Sequence, residues 1–352
     1  MLRFSSFQRP GPSLFLIPEG RSLRGVGPAD FALELDRPSR FCYTDALAGA
    51  NSVFIVSILV IGTGALLKAL GILRDKDGQT LARVVLNVTL PAVVLNTVPS
   101  IAVDASLALI PLICLVHCAA VLVIAFRLYR LEEDRTKAVL IMASTGFNNA
   151  LFAFPIVEAL WGARGLQYLA MFDIGNALIL LGANYLIASW YGTRAAGGTP
   201  TLTLRFVGLN LLRSAPLVSY AVALAMNLSG LRLPEPISSF VGILARANTP
   251  VVLLLLGVYL DLRLARNELR HLLGSLALRY GAGAASGTLC YLLLPYSADY
   301  RRVLLVALVL PVGATVSAFS ATFGLNRTLA SAVSNATLLV SFALTWAVAA
   351  FL

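Results

Sequence analysis

Charged residues are scarce in this chain of 352 residues: they make up 12% of it, against about 25% in an average soluble domain. So few charges cannot cover the surface of a water-soluble protein of this size. Hydrophobic residues account for 58% of the sequence, and many of them are gathered in runs of about 20 residues, the length that crosses a bilayer. The composition therefore excludes a soluble globular protein and predicts an all-α membrane protein.

The chain also has few of the residues from which catalytic and metal sites are built. It has two histidines, His117 and His271, and neither lies in a catalytic motif. Its four cysteines are scattered, and three lie inside apolar runs, where a thiol usually behaves as a small hydrophobic group. We therefore predict no enzymatic activity, no catalytic residue, no metal site and no cofactor.

Acidic residues are scarcer than basic ones, which leaves a net charge of +10. In a soluble protein this excess would suggest a nucleic-acid partner, but here the lysines and arginines lie mainly at the edges of apolar runs. That distribution is typical of an orientation signal in a membrane. We therefore predict membrane lipid, and no nucleic acid, among the partners.

Residues 1–50 contain no apolar run long enough to span a bilayer. Up to Ala29 the only acid is Glu19, which is typical of an organellar presequence, whereas the acids between Asp30 and Asp45 are not. We interpret this segment as a disordered leader or a presequence, and a start codon assigned too early is the third interpretation.

Ten apolar segments follow, and each is predicted to be a membrane span. They are residues 53–72, 79–98, 105–127, 137–160, 166–191, 204–229, 237–260, 271–294, 303–322 and 328–351. The connections after odd-numbered spans, with their helix ends, carry fourteen lysines and arginines, whereas the even-numbered ones carry Arg164, Arg232, Arg301 and Arg302. The positive-inside rule therefore places the odd-numbered connections in the cytoplasm.

Prolines recur at similar positions in the two halves of the chain. Pro91 and Pro250, in spans 2 and 7, are 159 positions apart, and Pro155 and Pro311, in spans 4 and 9, are 156 positions apart. Two pairs at nearly the same offset predict two five-helix repeats, and an odd number of spans per repeat inverts the second copy. The predicted repeats are residues 51–200 and 201–352.

Polar residues accompany the predicted breaks in spans 4 and 9. Asn148 and Asn149 precede the proline of span 4, and Thr315 and Ser317 follow that of span 9. A helix broken at membrane depth is tolerated where its free backbone groups are buried in protein or line a watery cavity. We predict that these four residues border one substrate cavity, to which the half-helix ends contribute partial charges. The alternative interpretation is that the amides join helices by hydrogen bonds.

Several motifs resemble those of the auxin efflux carrier, or PIN-like, transporter family. They are the segment from Asn148 to Pro155, the sequence Phe172-Asp173-Ile174-Gly175-Asn176-Ala177, the sequence Asn248-Thr249-Pro250 with Leu256-Gly257, and Pro311 followed thirteen residues later by Gly324. The resemblance covers residues 53–352. It implies ten transmembrane helices in two inverted five-helix repeats with crossed, broken helices 4 and 9, a fold similar to that of bile acid transporters and sodium/proton antiporters. The family includes exporters of auxin and carriers of malate-like acids.

Ionisable residues at membrane depth are costly and are therefore functional candidates. Asp173 and Asn176 are three positions apart on one helix face, where they either carry a coupling proton or sodium ion or hold the crossover by hydrogen bonds. Arg246 lies one turn before the proline of span 7 and either neutralises a carboxylate or extends to the membrane interface. Arg213 and Arg279 are expected near cytoplasmic helix ends.

We therefore expect a secondary transporter that exports or exchanges a small organic anion, such as an auxin-like or malate-like carboxylate. The predicted substrate-binding residues are Asn148, Asn149, Pro155, Arg246, Asn248, Thr249, Pro250, Pro311, Thr315 and Ser317. Two alternatives stay open, a non-transporting receptor or scaffold on the same fold and a carrier similar to bile-acid/sodium symporters. The plasma (inner) membrane is expected, or an organellar membrane if the leader is a presequence, and a homodimer is one arrangement open to the chain.

Overall fold

The computed structural model of the chain describes residues 40–100, 105–200, 204–260 and 266–352, so most of the predicted leader lies outside the described residues. Regular structure in these ranges is helical, apart from one isolated bridge between Phe147 and Val312. The α-helices are α1 Arg40–Ala69, α2 Asp75–Val84, α3 Leu90–Thr97, α4 Ala105–Leu128, α5 Asp134–Ser144, α6 Phe154–Leu178, α7 Asn184–Ala195, α8 Leu204–Arg213, α9 Ala215–Ser229, α10 Glu235–Tyr259, α11 Leu269–Leu293, α12 Ala298–Leu308, α13 Thr315–Thr322 and α14 Arg327–Phe351.

Three π-helical turns extend or join these helices. Val85–Thr89 joins α2 to α3, Asn149–Ala153 leads into α6, and Ile179–Ala183 joins α6 to α7. Such turns are rare, and inside α-helices they are frequent at functional sites. Helix α6 also bends at Gly162, whose φ of 59° and ψ of −151° are not helical.

Six segments of the described chain are long and apolar enough to cross a membrane. They are Asn51–Ala69, Lys76–Thr97, Ser106–Leu128, Asn149–Ala195, Glu235–Tyr259 and Arg327–Phe351. The fourth has 47 residues and includes the bend at Gly162, so it consists of two helical stretches. The chain is thus an all-helical, multi-pass membrane protein, while the count of ten spans and the inverted repeat stay predictions.

The surface of α1 shows what surrounds the bundle. Ile55, Val56, Ile58 and Leu59 are each more than half exposed. A continuous apolar surface of this kind is rare on a monomeric soluble protein, but it is what lipid tails require. We therefore interpret this face as lipid-facing.

Helix α5 lies at the opposite extreme of burial. Every residue from Thr136 to Ser144 is buried, on all sides of the helix. A helix that is buried all round belongs to the core of a large bundle. The interruption that follows α5 is buried at Thr145, Gly146 and Phe147 and half-buried at Asn148.

Three of the predicted cytoplasmic connections meet at one end of the bundle. His271, after the connection from α10, contacts Glu132, after α4, with 3.1 Å between Nε2 and Oε2. Its Nδ1 lies 2.9 Å from Glu268, whose other oxygen accepts from Asn326, just before α14, also at 2.9 Å. The connections that follow predicted spans 3, 7 and 9 therefore lie together, as the charge distribution requires.

Candidate functional site

Two helix interruptions lie side by side in the core. Helix α5 stops before the π-helical turn that leads into α6, and α12 stops before α13. An antiparallel bridge joins Phe147 to Val312, and the backbone N–H of Asn148 donates to the carbonyl of Pro311 at 2.9 Å. Gly146 has a φ of +68°, a conformation that a residue without a side chain adopts freely. Each interruption thus satisfies part of the backbone that the other exposes.

Arg279 of α11 binds both interruptions from the side on which α5 and α12 end. Its guanidinium donates to the carbonyls of Ala143, Gly146, Leu310 and Pro311 at 2.9 to 3.0 Å, and it lies 4.8 Å from the ring centre of Phe147. The residue is buried. Since helix C-termini carry partial negative charge, this cation offsets the charge of two converging helix ends. The prediction that Arg279 lies near a cytoplasmic helix end is wrong.

We call the two interruptions, residues 145–148 and 309–314, the crossover. Its opposite side presents helix N-termini. The turn that begins at Asn149 and the helix that begins at Thr315 both start there. N-terminal ends carry roughly half a positive charge each, because their first backbone N–H groups have no intrahelical acceptor. Among the described residues, one of these N–H groups has a side-chain cap: that of Leu151 donates to Oδ1 of Asn148 at 3.2 Å. This side is therefore electropositive at the backbone.

A buried carboxylate, that of Asp173, lies beside these N-termini. Its Oδ1 accepts from the amides of Asn149 at 2.7 Å and Asn176 at 3.0 Å, and its Oδ2 accepts from the hydroxyl of Tyr220 at 2.9 Å. All four side chains are buried. The cluster therefore connects α6, the turn before it and α9.

Asn176 has a second role at the crossover. Its Oδ1 accepts from the backbone N–H of Phe147 at 2.7 Å, and its Nδ2 donates to the carbonyl of the same residue at 2.8 Å. One side chain thus satisfies both backbone groups of a residue that lies outside any helix. These two hydrogen bonds attach the interruption before α6 to α6 itself. Asn176 therefore has a structural role, whether or not it also takes part in coupling.

The larger of two described cavities adjoins this polar cluster and has a volume of about 530 Å³. Such a volume suits a small-molecule ligand. Its lining is mainly apolar, with a few polar groups. The lining residues are Leu86, Asn87, Leu90, Phe147, Asn148, Asn149, Ala150, Leu151, Asp173, Asn176, Ala177, Leu180, Leu181, Tyr185, Arg213, Ser214, Ala215, Pro216, Ala314, Thr315 and Phe319.

A smaller cavity of about 430 Å³ lies on another side of the crossover, lined among others by Gln79, Tyr259 and Ser317. Asn148 lines both cavities. Asn149 and Thr315 line the larger cavity and Ser317 the smaller one, since residues two apart in α13 point to nearly opposite sides of the helix. That all four residues border one substrate cavity stays a prediction.

The residues predicted in span 7 lie in α10, outside the described lining of both cavities. Asn248 is buried and its Oδ1 accepts from the hydroxyl of Thr89 at 2.8 Å, while the hydroxyl of Thr249 donates to Glu158 at 2.7 Å. Pro250 and Arg246 are exposed on the helix surface. The contacts of Asn248 and Thr249 thus join helices, and Arg246 does not belong to the lining of either described cavity.

The two prolines of the crossover are not equivalent. Pro311 lies within the interruption before α13, but Pro155 lies in the first turn of α6, after its own interruption. Both are buried, and neither appears in the described lining of the two cavities. The ends of α5 and α12, at Ser144 and Leu308, are 164 positions apart, so the helix ends and the two prolines do not share one offset.

A third helix break borders the larger cavity and was not predicted. Helix α8 ends at Arg213, Ser214 has φ −74° and ψ 110°, and α9 begins at Ala215 with Pro216 in its first turn. These four residues line the cavity. The prediction that Arg213 lies near a cytoplasmic helix end missed this break, although a serine two positions before a proline is a helix-start signal.

The chain is similar to known membrane proteins over nearly its whole length. A family model described as membrane transport protein matches residues 50–348, a range that includes both cavities. An uncharacterized transporter of Methanothermobacter thermautotrophicus is 26% identical over 232 residues, which cover 63% of this chain and 71% of that protein. An uncharacterized transporter of Methanocaldococcus jannaschii is 23% identical over 220 residues, which cover 59% of this chain and 68% of that protein.

Proposed function

This chain belongs to the membrane transport protein family, that of auxin efflux (PIN-like) carriers, and from that premise we propose that it is a secondary transporter of a small organic anion. Membership makes it a transporter and not an enzyme. The proposal further includes ten spans in two inverted repeats and location in the plasma (inner) membrane.

The observation that carries the proposal is the crossover, whose two helix N-termini border the larger cavity. Asn149 and Thr315 begin these helical segments, and both line that cavity. An anion near them gains from partial positive charges that are fixed by the fold and need no lysine or arginine. The largely apolar remainder of the lining suits the carbon skeleton of an organic acid better than an inorganic ion.

We propose Asp173 as the group that couples transport to a proton. An ionised carboxylate only accepts hydrogen bonds, whereas a carboxylic acid must also donate one. Asn149, Asn176 and Tyr220 all donate to Asp173. Protonation therefore requires one of these partners to turn or leave, which changes the contacts between α6, the crossover and α9. A sodium ion is the alternative coupling ion.

Uptake into proteoliposomes tests the proposal. Purified protein would be reconstituted, and the uptake of labelled indole-3-acetate and malate measured with and without a pH gradient, and with sodium replaced by choline. Protein-free liposomes control for passive entry of the protonated acids. We expect uptake of at least one carboxylate above this control, stimulated by the pH gradient and unchanged by choline. Uptake of both acids equal to that of protein-free liposomes would contradict the proposal.

A further inference from the structure

The larger cavity contains a cation that takes part in none of the contacts described above. Its described lining has one acidic residue, Asp173, and one basic residue, Arg213. Asp173 already accepts three hydrogen bonds, but Arg213 has no hydrogen bond or ion pair with any described residue, and it is exposed. A guanidinium has five N–H donors in a planar fork that matches a carboxylate. Here those donors are available to a ligand.

The chain places this guanidinium beside another helix N-terminus. Helix α9 begins directly after Arg213 and runs for 15 residues, so its N-terminal end carries roughly half a positive charge. The side chain of Ser214 does not cap it. Ser214 and Ala215 line the same cavity as Arg213. The charge of the Arg213 guanidinium and the partial charge of the α9 N-terminus therefore act on the same part of the cavity lining.

An independent observation indicates that the cavity receives a polar ligand. Asn149 is 1% exposed and lines the cavity, yet its Oδ1 has no hydrogen-bond partner among the described residues. The hydroxyl of Thr315, on the same lining, is also unsatisfied there. Buried polar groups are rarely left without a partner, and an amide oxygen requires a donor.

We infer that Arg213, together with the N-terminus of α9, binds the carboxylate of the transported anion, while Asn149 accepts a hydrogen bond from an N–H or O–H group of the same molecule. The inference rests on the proposed function and adds the residue that recognises the charge. It assigns to Arg213 the role that the sequence suggested for Arg246. The cargo is then an organic acid that carries a hydrogen-bond donor at a distance from its carboxylate.

The first test needs no knowledge of the cargo. The native cysteines would be replaced by alanine, and Ser214→Cys would be added as the single reactive thiol. This protein would be treated in detergent with two methanethiosulfonate reagents, one anionic (sulfonatoethyl) and one cationic (trimethylammonium-ethyl). Adding Arg213→Gln should lower the ratio of anionic to cationic reaction rates about tenfold, because one nearby charge changes each rate several-fold even in water. Arg246→Gln, the matched control, should change the ratio less than twofold. A ratio that Arg213→Gln leaves within twofold overturns the inference.

The second test uses indole-3-acetate and its neutral amide, indole-3-acetamide, as competing ligands of the reconstituted protein. Arg213→Gln should weaken binding of the acid about tenfold to a hundredfold, the loss expected for a charge-assisted hydrogen bond, and leave binding of the amide within twofold. Equal weakening of both ligands overturns the role in charge recognition. A wild-type protein that transports neither indole-3-acetate nor malate contradicts the proposed function, whereas the thiol reaction rates decide the role of Arg213 separately.

Discussion

At Asp173, three donors from different parts of the bundle meet one carboxylate, the group that we propose to couple transport to a proton. Asn149 adjoins the crossover, Tyr220 belongs to α9, and Asn176 to the same helix as the carboxylate. Protonation of Asp173 therefore alters at least one of these contacts. An aspartate that merely joined helices would be replaceable by its amide without effect on the response to pH.

We predict that Asp173→Asn abolishes the stimulation of carboxylate uptake by a pH gradient while exchange of labelled for unlabelled cargo at equal pH persists. The amide keeps the size and polarity of the carboxylate but cannot bind the proton. Initial rates in proteoliposomes measure both quantities, and Asp299→Asn, at a partly exposed position outside the described cavity linings, serves as the matched control. Undiminished stimulation in Asp173→Asn would show that the coupling group lies elsewhere.

Arg279 gives a prediction about stability. Its guanidinium donates hydrogen bonds to four backbone carbonyls. A buried acceptor that loses its donor lowers the free energy of unfolding by about 1–3 kcal/mol. Arg279→Gln should therefore lower the melting temperature of the detergent-solubilised protein, and Arg279→Lys should lower it less, since a lysine keeps the charge with three donors instead of five. Arg270→Gln, at an exposed position of the same helix, should have little effect. Equal melting temperatures for Arg279→Gln and wild type would refute this role.

The sequence predicts the polar residues of the crossover better than its cations. Asn148, Asn149 and Thr315 stand out because amides and a hydroxyl interrupt apolar runs, and they line the larger cavity. Arg213 and Arg279 were expected at helix ends because long basic side chains usually extend to an interface. Arg279 binds the carbonyls of Ala143 and Gly146, more than 130 positions before it, and that of Pro311, 32 positions after it. Helical periodicity cannot predict contacts between residues so far apart in the sequence.

At the scale of elements, close contact between α11 and α12 holds Arg279 under the crossover. A Cβ added to Gly283, one turn beyond Arg279, would lie 2.1 Å from the carbonyl oxygen of Leu308, at the end of α12. Two helices approach this closely only through small residues. Gly283 therefore sets the distance between the guanidinium and the carbonyls that follow α12.

We expect Gly283→Ala to push α12 away, to destabilise the protein by about 1–3 kcal/mol, as overpacking commonly does, and to reduce transport. Gly274→Ala is the matched control in the same helix, because an added Cβ there meets nothing within 4 Å. Thermal unfolding and uptake rates of the two variants would be compared. If the Gly283→Ala protein were as stable and active as the Gly274→Ala protein, the close contact between α11 and α12 would not be needed for stability or transport.

The helix interruptions themselves could be predicted only in part. Those before α6 and α13 follow from polar residues near prolines in otherwise apolar segments. The break at Ser214 was not predicted, because a single proline in an apolar helix usually produces only a kink. Its φ and ψ show instead that α9 starts anew, and proline is well tolerated in the first turn of a helix.

At the scale of the whole molecule, the odd-numbered and even-numbered predicted connections differ in charge, and the orientation that this difference predicts can be tested directly. Contacts of His271 and Asn326 bring the connections after α4, α10 and α13 together. Single cysteines near Arg130 and Arg266 should therefore react with an impermeant thiol reagent only from the cytoplasmic side, and one near Arg232 only from the opposite side. Reversed labelling would invert the orientation, and labelling of all three from one side would refute the ten-span count.

The central claim, that an organic anion crosses the membrane through the crossover cavity, is tested most directly by carboxylate uptake in Asn148→Leu proteoliposomes. Asn148 lines both cavities, and its replacement removes one helix cap but little stability, because hydrogen bonds within membranes average about 0.6 kcal/mol. We predict that uptake falls at least about tenfold. Asn96→Leu, the same exchange at an exposed position outside the described cavity linings, should transport like the wild type. Wild-type uptake by a folded Asn148→Leu protein would contradict the claim.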